Sequence, residues 1–224
     1  MSTDPGRLWD ERFSADEWPI EPDPLLTSLV GGLPRGRALD LGSGPGRNSV
    51  WLASRGWQVT AVDASQVALR QASARAAEHG VVLSTVHVDV RVWSPEPASA
   101  DLVVIANLHL EPAELKALLA RAVEALRPQG HLFVVGHHLS SLGQRGPSDP
   151  QRLLTTERLA RALPTGLDVE RLTTTSRRTG QTGPSAPGDA NVVLWARRSS
   201  QAGTLAPTGR ARARTAGHRA GAGR

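Results

Sequence analysis

The segment from Asp40 to Arg47 (DLGSGPGR) has the residue types of a ligand-binding turn. Three of its residues are glycines: Gly42, Gly44 and Gly46. Glycine allows the backbone to turn tightly and to pass close to a bound molecule. The segment lies between a predicted strand and a predicted helix, and the first N–H groups of a helix have no partner inside it. Asp40 adds a carboxylate, so the turn favours a ligand that carries positive charge.

Two common phosphate-binding motifs do not fit this segment. A dinucleotide fingerprint reads G-x-G-x-x-G, and counting from Gly42 its third glycine would fall at Arg47. A P-loop requires a Gly-Lys-Ser/Thr sequence, and none follows. Asp40 would repel a pyrophosphate, whereas it would attract a cationic amine. The alternative is a purely structural turn between a strand and a helix.

Two further carboxylates follow predicted strands at the same edge of the sheet. Asp63 ends the second strand, and Asp89 follows the third. A carboxylate at the position of Asp63 accepts ribose hydroxyl groups in nucleotide-binding α/β folds, with Ala64 next to it. Asp89 is placed to accept an adenine amino group, with Val90 beside it. Taken alone, Asp63 is also typical of an N-cap for the next helix.

Three histidines follow the next two predicted strands. His109 comes after the fourth strand, and His137 and His138 come after the fifth. Because the carboxyl ends of parallel strands meet at one edge, these side chains are candidates for substrate binding or for a general base. The alternative is that they cap strand ends. No helical histidine spacing and no adjacent carboxylate supports a metal site, so none is predicted.

The surrounding pattern alternates short apolar runs with helical periodicity. Strands are predicted at 38–41, 58–63, 81–88, 101–106, 131–136, 168–175 and 191–196. Helices are predicted at 48–55, 65–79, 112–126 and 156–163, the second with Ser65 as its N-cap. Strands separated by helix-length segments form β-α-β units with right-handed crossovers. The sequence therefore predicts an α/β fold with a mostly parallel sheet.

Composition divides the chain into a Pro-rich segment 1–36, a domain 37–198 and a tail 199–224. The tail holds five arginines and no acid, which equals the whole net charge of +5. We expect it to be disordered; the alternative is an anchor for nucleic acid or anionic lipid. The absence of cysteine excludes a disulfide scaffold and a thiolate nucleophile. With no membrane-length apolar run and no signal-peptide pattern, a cytoplasmic protein is expected.

These residues resemble the motifs of the class I S-adenosylmethionine-dependent methyltransferases. The matching segments are Asp40–Gly46, Val62–Ser65, His87–Val90, Asp101–Val104 and Leu126–Gly130, the last with Gln129 in place of a glycine. Trp9–Phe13 and Gly46–Ala53 are similar to the small-molecule branch near the tellurite-resistance and thiopurine-type enzymes. Many relatives have Cys and Glu at the positions of Ser43 and Pro45, which puts one cofactor contact in doubt.

The resemblance implies a doubly wound, Rossmann-like sheet of seven strands in the order 3-2-1-4-5-7-6, with strand 7 antiparallel and helices on both faces. It implies S-adenosylmethionine as cofactor and in-line methyl transfer to a small molecule. It assigns the cofactor site to Asp40, Gly42, Ser43, Gly44, Gly46, Arg47, Asp63, Ala64, Asp89, Val90, Ala106 and Asn107. It makes His109, His137 and His138 the catalytic candidates.

Some alternatives stay open at this point. Asn107-Leu108-His109 lacks the prolines that enzymes acting on exocyclic or glutamine amines carry there, which disfavours that class. Trp9, Phe13 and Trp18 form either a lid over the cofactor or ordinary packing. The rival functions are a non-catalytic or degenerate S-adenosylmethionine-binding protein and a nucleic-acid-associated protein that uses its tail. Neither the methyl acceptor nor the oligomeric state is indicated.

Overall fold

The computed structural model of the chain describes residues 5–176 and 190–200. Its strands are β1 (Arg37–Leu41), β2 (Gln58–Asp63), β3 (Ser84–His87), β4 (Ala100–Ala106), β5 (Leu126–His137), β6 (Leu167–Ser176) and β7 (Ala190–Arg198). Its α-helices are α1 (Pro5–Ala15), α2 (Pro24–Val30), α3 (Arg47–Ser54), α4 (Gln66–Glu78), α5 (Pro112–Ala125) and α6 (Thr156–Ala162). From position 201 onwards the predicted tail lies outside the described residues.

The seven strands form one sheet in the order β3-β2-β1-β4-β5-β7-β6. Neighbouring strands from β3 to β5 pair in parallel, and β7 runs antiparallel to β5 and β6. The predicted fold class and strand order are confirmed. The chain moves outwards from β1 in one direction and returns through β4 to the other, so the switch point lies between β1 and β4. Ligands bind at the carboxyl ends of the strands beside such a point.

The apolar runs of the central strands are buried because helices cover both faces of the sheet. On one face Val103 and Ile105 of β4 pack in a cluster with residues of α5 and α6. On the other face Leu102 and Val104 pack with residues of α2 and α3. Alternate residues of a strand point to opposite faces, so a continuous apolar run is what a strand with two buried faces requires. Within the described residues, no helix is long and apolar enough to cross a membrane.

Two element boundaries differ by three residues or more from the sequence-based expectations. β3 begins at Ser84 rather than at residue 81, because the Val81 N–H still donates to the Ala76 carbonyl after α4. β5 begins at Leu126, which pairs with Ala100 before the register shifts towards Leu102. The predicted turn at this point is therefore part of an irregular strand start. Both differences arise from tertiary hydrogen bonds that periodicity does not encode.

Helix α1 is fastened to the start of α4. Ser65 is the N-cap of α4, as predicted, and its hydroxyl accepts from the Ala68 N–H at 3.0 Å. Asp10 of α1 accepts from the Ser65 hydroxyl at 2.5 Å and from the Val67 N–H at 3.0 Å. A carboxylate at a helix N-terminus is stabilised by the unpaired N–H groups and the helix dipole. The N-terminal segment is thereby held beside the glycine loop.

We expect Gly46→Ala to destabilise the protein more than Gly80→Ala. Both glycines have positive φ, +80° and +66°, so both substitutions strain the backbone by about 1–2 kcal/mol. A Cβ on Gly46 would lie 2.6 Å from the Cβ of Ala72 in α4, whereas a Cβ on Gly80 meets no atom within 4 Å. Overpacking adds about 1–3 kcal/mol at Gly46. Urea unfolding of the two variants measures this difference, and equal free energies of unfolding would show that the loop does not pack tightly on α4.

Candidate functional site

The glycine loop folds back onto the end of β2. The N–H groups of Gly42 and Ser43 both donate to the Val62 carbonyl, at 2.8 and 3.1 Å. Gly42, Gly44 and Gly46 all adopt positive φ, of +72°, +54° and +80°. An L-residue with a side chain would be strained at each of these positions. The loop therefore adopts a closed, backbone-lined turn at the carboxyl edge of the sheet.

Asp63 joins this loop to the start of α4. One carboxylate oxygen accepts from the Gly44 N–H at 2.8 Å, and the other accepts from the Ser65 N–H at 2.8 Å. Burial raises the pKa of Asp63, while the N–H groups of Ser65 and Gly44 oppose this rise. Each carboxylate oxygen has two lone pairs, so Asp63 retains acceptor capacity for two hydroxyl groups. Asp63, the predicted ribose-binding residue, is thus hydrogen-bonded to the predicted cofactor-binding loop.

Asp40 lies beneath the loop and is 1% exposed. Its carboxylate accepts from the Ser49 hydroxyl of α3 at 2.6 Å. Burial raises the pKa of Asp40 to about 6, although the Ser49 hydrogen bond and the charge of Arg47 act in the opposite direction. A nearby cation would favour the ionised form. Asp40 is therefore a buried acid whose charge responds to what binds above it.

Arg47 points to the N-terminal segment. Its guanidinium lies 4.0 Å from the Asp23 carboxylate and 3.5 Å from the Glu21 carbonyl. Asp23 is the N-cap of α2, and its own N–H donates to the side chain of Asn48 at 2.9 Å. In the structure Arg47 contacts a protein carboxylate, that of Asp23. Its role towards a cofactor stays a prediction.

Asp89 is held by a residue that the sequence reading did not single out. The Arg91 guanidinium donates to Asp89 through Nε at 2.9 Å and Nη2 at 2.7 Å, and its Nη1 donates to Glu114 at 3.1 Å. Although burial opposes it, hydrogen bonding from Arg91 lowers the pKa of Asp89. Arg91 therefore keeps Asp89 ionised and fixes its orientation. In the sequence this ion pair shows only as a basic residue two positions after an acid, a spacing too common to predict a contact.

His109 and His137 stack on each other. Their ring centroids are 5.0 Å apart with an interplanar angle of 16°. Nδ1 of His109 lies 3.1 Å from the Arg152 carbonyl, which accepts only, so Nδ1 carries the proton and Nε2 keeps a lone pair. Nε2 is buried without a partner in the described part of the chain. Burial, followed by the neighbouring His137, lowers the pKa of His109 to about 4, so the ring is neutral at pH 7.

The other two histidine candidates have different surroundings. Nδ1 of His137 lies 3.2 Å from Oδ1 of Asn191, a buried residue of β7. His138 instead caps a short turn, where Nδ1 accepts from the Ser140 N–H at 3.1 Å. The structure thus brings His109 and His137 together and engages His138 locally. Among the described residues, no group of three or more His, Cys, Asp or Glu side chains forms a metal site.

The remaining predicted residues lie at the same carboxyl edge. Asn107 follows β4 with φ of +56°, and its Oδ1 is buried without a partner among residues 5–176 and 190–200. The Ser43 hydroxyl oxygen is likewise buried without a hydrogen-bond partner in these ranges. The Ala64 carbonyl accepts from Nε2 of His87 at 2.9 Å, and the Val90 carbonyl accepts from Arg121 at 3.0 Å. Ala106 ends β4.

The N-terminal aromatic residues rest on the glycine loop. Trp9, Phe13 and Trp18 form one cluster, with centroid separations of 5.5, 6.1 and 4.7 Å. The Phe13 ring lies 3.4 Å from the position that a Cβ on Gly44 would take. Gln71 of α4 donates to the Phe13 carbonyl at 2.9 Å. The cluster therefore packs on the rim of the loop, and the predicted lid role stays a prediction.

Comparison with known sequences identifies the central region. Residues 38–130 match the sequence model of a family described as a methyltransferase domain. A ubiquinone biosynthesis O-methyltransferase of Xanthomonas campestris is 32% identical over 140 residues, which cover 60% of this chain and 54% of the relative. A trans-aconitate 2-methyltransferase of Mycobacterium tuberculosis is 39% identical over 111 residues, which cover 49% and 40%. The chain spans about half the length of the curated relatives it matches.

Solved structures share the fold at low sequence identity. One, from work on the conversion of a disulfide bond into a thioacetal group during echinomycin biosynthesis, has a TM-score of 0.71 and 19% identity, and the match covers 88% of this chain and 93% of that chain. The N-methyltransferase NodS from Bradyrhizobium japonicum WM9, bound to S-adenosylhomocysteine, has a TM-score of 0.66 and 18% identity, with 88% and 99% covered.

S-adenosylmethionine is the cofactor that the sequence motifs predict, and the residues at the carboxyl edge fit it. The site offers acceptors to a molecule that carries hydroxyl groups and two positive charges: the carboxylates of Asp40 and Asp63, and the unpartnered hydroxyl oxygen of Ser43. The three positive-φ glycines form the turn beside Asp63, whose carboxylate accepts from the Gly44 N–H. A pyrophosphate requires N–H donors, and the two buried acids Asp40 and Asp63 would repel it.

We expect the affinity for S-adenosylmethionine to rise between pH 5 and pH 7. Asp40 has a raised pKa of about 6, so its carboxyl group is neutral below that pH and anionic above it. Only the anion attracts the cofactor's positive charge, and the gain is about three- to tenfold. Calorimetric titration across this range measures it, and Asp40→Asn should flatten the profile.

The ligand-free protein should show the opposite sign. The folded pKa of Asp40 lies above its unfolded value, so protonation stabilises the folded state, and this stability is lost as the pH rises through about 6. Urea unfolding of wild type and Asp40→Asn at pH 5 and pH 7 provides the control. An affinity that does not change with pH in either protein would show that Asp40 does not interact with the cofactor.

Proposed function

We propose that this chain is a class I S-adenosylmethionine-dependent methyltransferase and that it transfers the cofactor's methyl group to a small molecule. Its residues 38–130 match the sequence model of a methyltransferase domain, which supports the proposal. The acceptor atom in this proposal is the oxygen or nitrogen of a group that still carries a hydrogen. Two sequence relatives named above are an O-methyltransferase of ubiquinone biosynthesis and a trans-aconitate methyltransferase, which supports a small organic acceptor.

The observation that carries the acceptor assignment is a pair of unpaired acceptor atoms after β4. Nε2 of His109 and Oδ1 of Asn107 are both buried, and neither has a hydrogen-bond partner in the described ranges. A buried acceptor without a partner costs stability, and natural proteins retain such groups where a ligand completes the bond. The complementary ligand group is an O–H or N–H donor. We therefore assign the acceptor-binding position to this end of β4.

The chain's own residues divide the work between the two partners. Asp63 would hold the ribose hydroxyls, Asp89 the adenine amino group, and Asp40 the positive end of the cofactor. Ser43 and the glycine loop, together with Ala64, Val90 and Ala106, would line the cofactor. When bound, S-adenosylmethionine supplies a methyl group that is already activated by a sulfonium. The protein's contribution is then mainly to orient the acceptor and to exclude water.

His109 is suited to accept a proton or a hydrogen bond from the substrate. The Arg152 carbonyl fixes its tautomer with the proton on Nδ1, which leaves the Nε2 lone pair for the substrate. Its lowered pKa keeps it neutral, so it does not repel a cationic cofactor. Stacking on His137 and the contact of His137 with Asn191 hold the ring in place. His109 is therefore the proposed general base, with His137 as its positioning residue.

We expect His109→Ala to lower kcat by about 10²–10⁴-fold while leaving the affinity for S-adenosylmethionine within about twofold. A panel of small phenols, carboxylic acids and amines, assayed with methyl-labelled cofactor, first identifies an acceptor. The matched control is His79→Gln, because His79 is exposed at the end of α4. With saturating cofactor, the kcat of the wild type should show no acid limb near pH 6.5, because the pKa of His109 is about 4.

Two results would contradict this proposal. Tight cofactor binding without transfer to any acceptor in the panel would favour a non-catalytic cofactor-binding protein. Full activity of His109→Ala would remove the general base from this position.

A further inference from the structure

A cleft lies at the amino ends of β1 and β2, at the opposite edge of the sheet from the glycine loop. It has a volume of about 370 Å³ and is formed between α2, α3 and the residue that precedes β2. Its lining includes Arg35, Arg55, Trp51 and Trp57. Trp57 immediately precedes β2 and Asp63 ends it, and a strand of 6 residues spans about 20 Å. A molecule in this cleft is therefore remote from the glycine loop and cannot receive its methyl group there.

The cleft is positively charged. Arg35 and Arg55 both line it, and it has no acidic lining residue. Within residues 5–176 and 190–200, neither guanidinium lies within 4.0 Å of a carboxylate. Arg35 donates to the Leu33 carbonyl at 2.6 Å, and the Arg55 guanidinium lies 5.7 Å from the centre of the Trp51 ring. Both side chains retain further N–H donors, because a guanidinium has five.

Trp57 supplies the second, independent observation. Its side chain is only 4% exposed, yet the described part of the chain offers its indole N–H no acceptor. Buried tryptophan N–H groups are normally paired. The exception occurs beside a cleft many times larger than the ~30 Å³ of a water molecule. An acceptor atom of a bound molecule would complete this bond.

A purely structural explanation accounts for only part of these facts. Arg35 and Arg55 follow the C-terminal ends of α2 and α3, where positive charge is favourable to the helix dipole. That explains the charge of the arginines. It does not explain a buried indole donor without an acceptor, nor two indole rings on the walls of the same cleft.

We propose that this cleft is a second small-molecule site, and that it binds a planar aromatic anion such as an aromatic carboxylate or phosphate ester. The guanidinium groups of Arg35 and Arg55 match the paired oxygens of such an anion. The indole N–H of Trp57 donates to the same acceptor group. The ring of Trp51 contacts the planar apolar body of the ligand. The site is separate from methyl transfer and does not depend on the proposed function.

The test follows the indole N–H resonance of Trp57 in a ¹H–¹⁵N spectrum of the full chain. The chain has six tryptophans, and Trp57→Phe assigns the resonance because phenylalanine keeps an aromatic ring but has no N–H. Phenyl phosphate is the probe, and benzoate is the second. We expect a saturable shift of this resonance, with a dissociation constant in roughly the millimolar range or below.

Matched variants and ligands separate the contributions. Arg35→Gln and Arg55→Gln should each weaken binding about tenfold, since each removes a charged hydrogen bond. Arg145→Gln, on an exposed loop, should leave it unchanged. Benzyl alcohol, which has a ring but no charge, should bind at least about tenfold more weakly.

Three results would overturn the inference. They are no shift with either probe, an equal shift in the double variant Arg35→Gln with Arg55→Gln, or equal binding of benzyl alcohol. None of these measurements uses S-adenosylmethionine or turnover, so failure here is distinguishable from failure of the methyltransferase proposal. The dispersion of the same ¹H–¹⁵N spectrum shows that each variant is folded.

Discussion

The carboxylate of Asp63 is the interaction on which the rest of the site depends. It accepts the Gly44 N–H from the loop and the Ser65 N–H from the start of α4, both at 2.8 Å. These two bonds join the end of β2 to the turn after β1 and to the next helix. Because Ser65 also holds Asp10, the position of α1 depends on the same junction. A buried charge is tolerated here because fixed N–H donors replace the water that it loses.

Burial has opposite electrostatic consequences on the two sides of this edge. On the β1–β2 side it raises the pKa of the acids, and a cationic ligand would compensate by favouring their ionised forms. On the β4 side it lowers the pKa of His109, so this imidazole stays neutral beside the expected cation. Burial thus favours a positively charged ligand beside Asp40 and Asp63, and it keeps His109 uncharged. This division supports a cationic cofactor next to a neutral acceptor-binding group.

The sequence predicts the framework better than it predicts the contacts. The motif resemblance implies the strand order. The loop and the Ser65 cap follow from local spacing, because short segments encode them. Gln129, at φ of +67°, shows the limit: the resembled turn has glycine there, and the backbone keeps the turn despite the strain. The Arg91–Asp89 pair and the Arg152–His109 bond were not predicted, because periodicity cannot show which loops meet. The cleft around Trp57 likewise requires side chains from elements that only the tertiary fold brings together.

Titration calorimetry with S-adenosylhomocysteine on wild type and Asp63→Ala measures how much the Asp63 carboxylate contributes to cofactor binding. We expect micromolar binding to the wild type, about −7 to −8 kcal/mol, and a loss of affinity of about tenfold or more in the variant. The variant should also unfold more easily without ligand, because the N–H groups of Gly44 and Ser65 lose their acceptor. Glu78→Ala, an exposed acid at the end of α4, is the control. Unchanged affinity in a folded Asp63→Ala variant would contradict the account, because the ribose would then be held elsewhere.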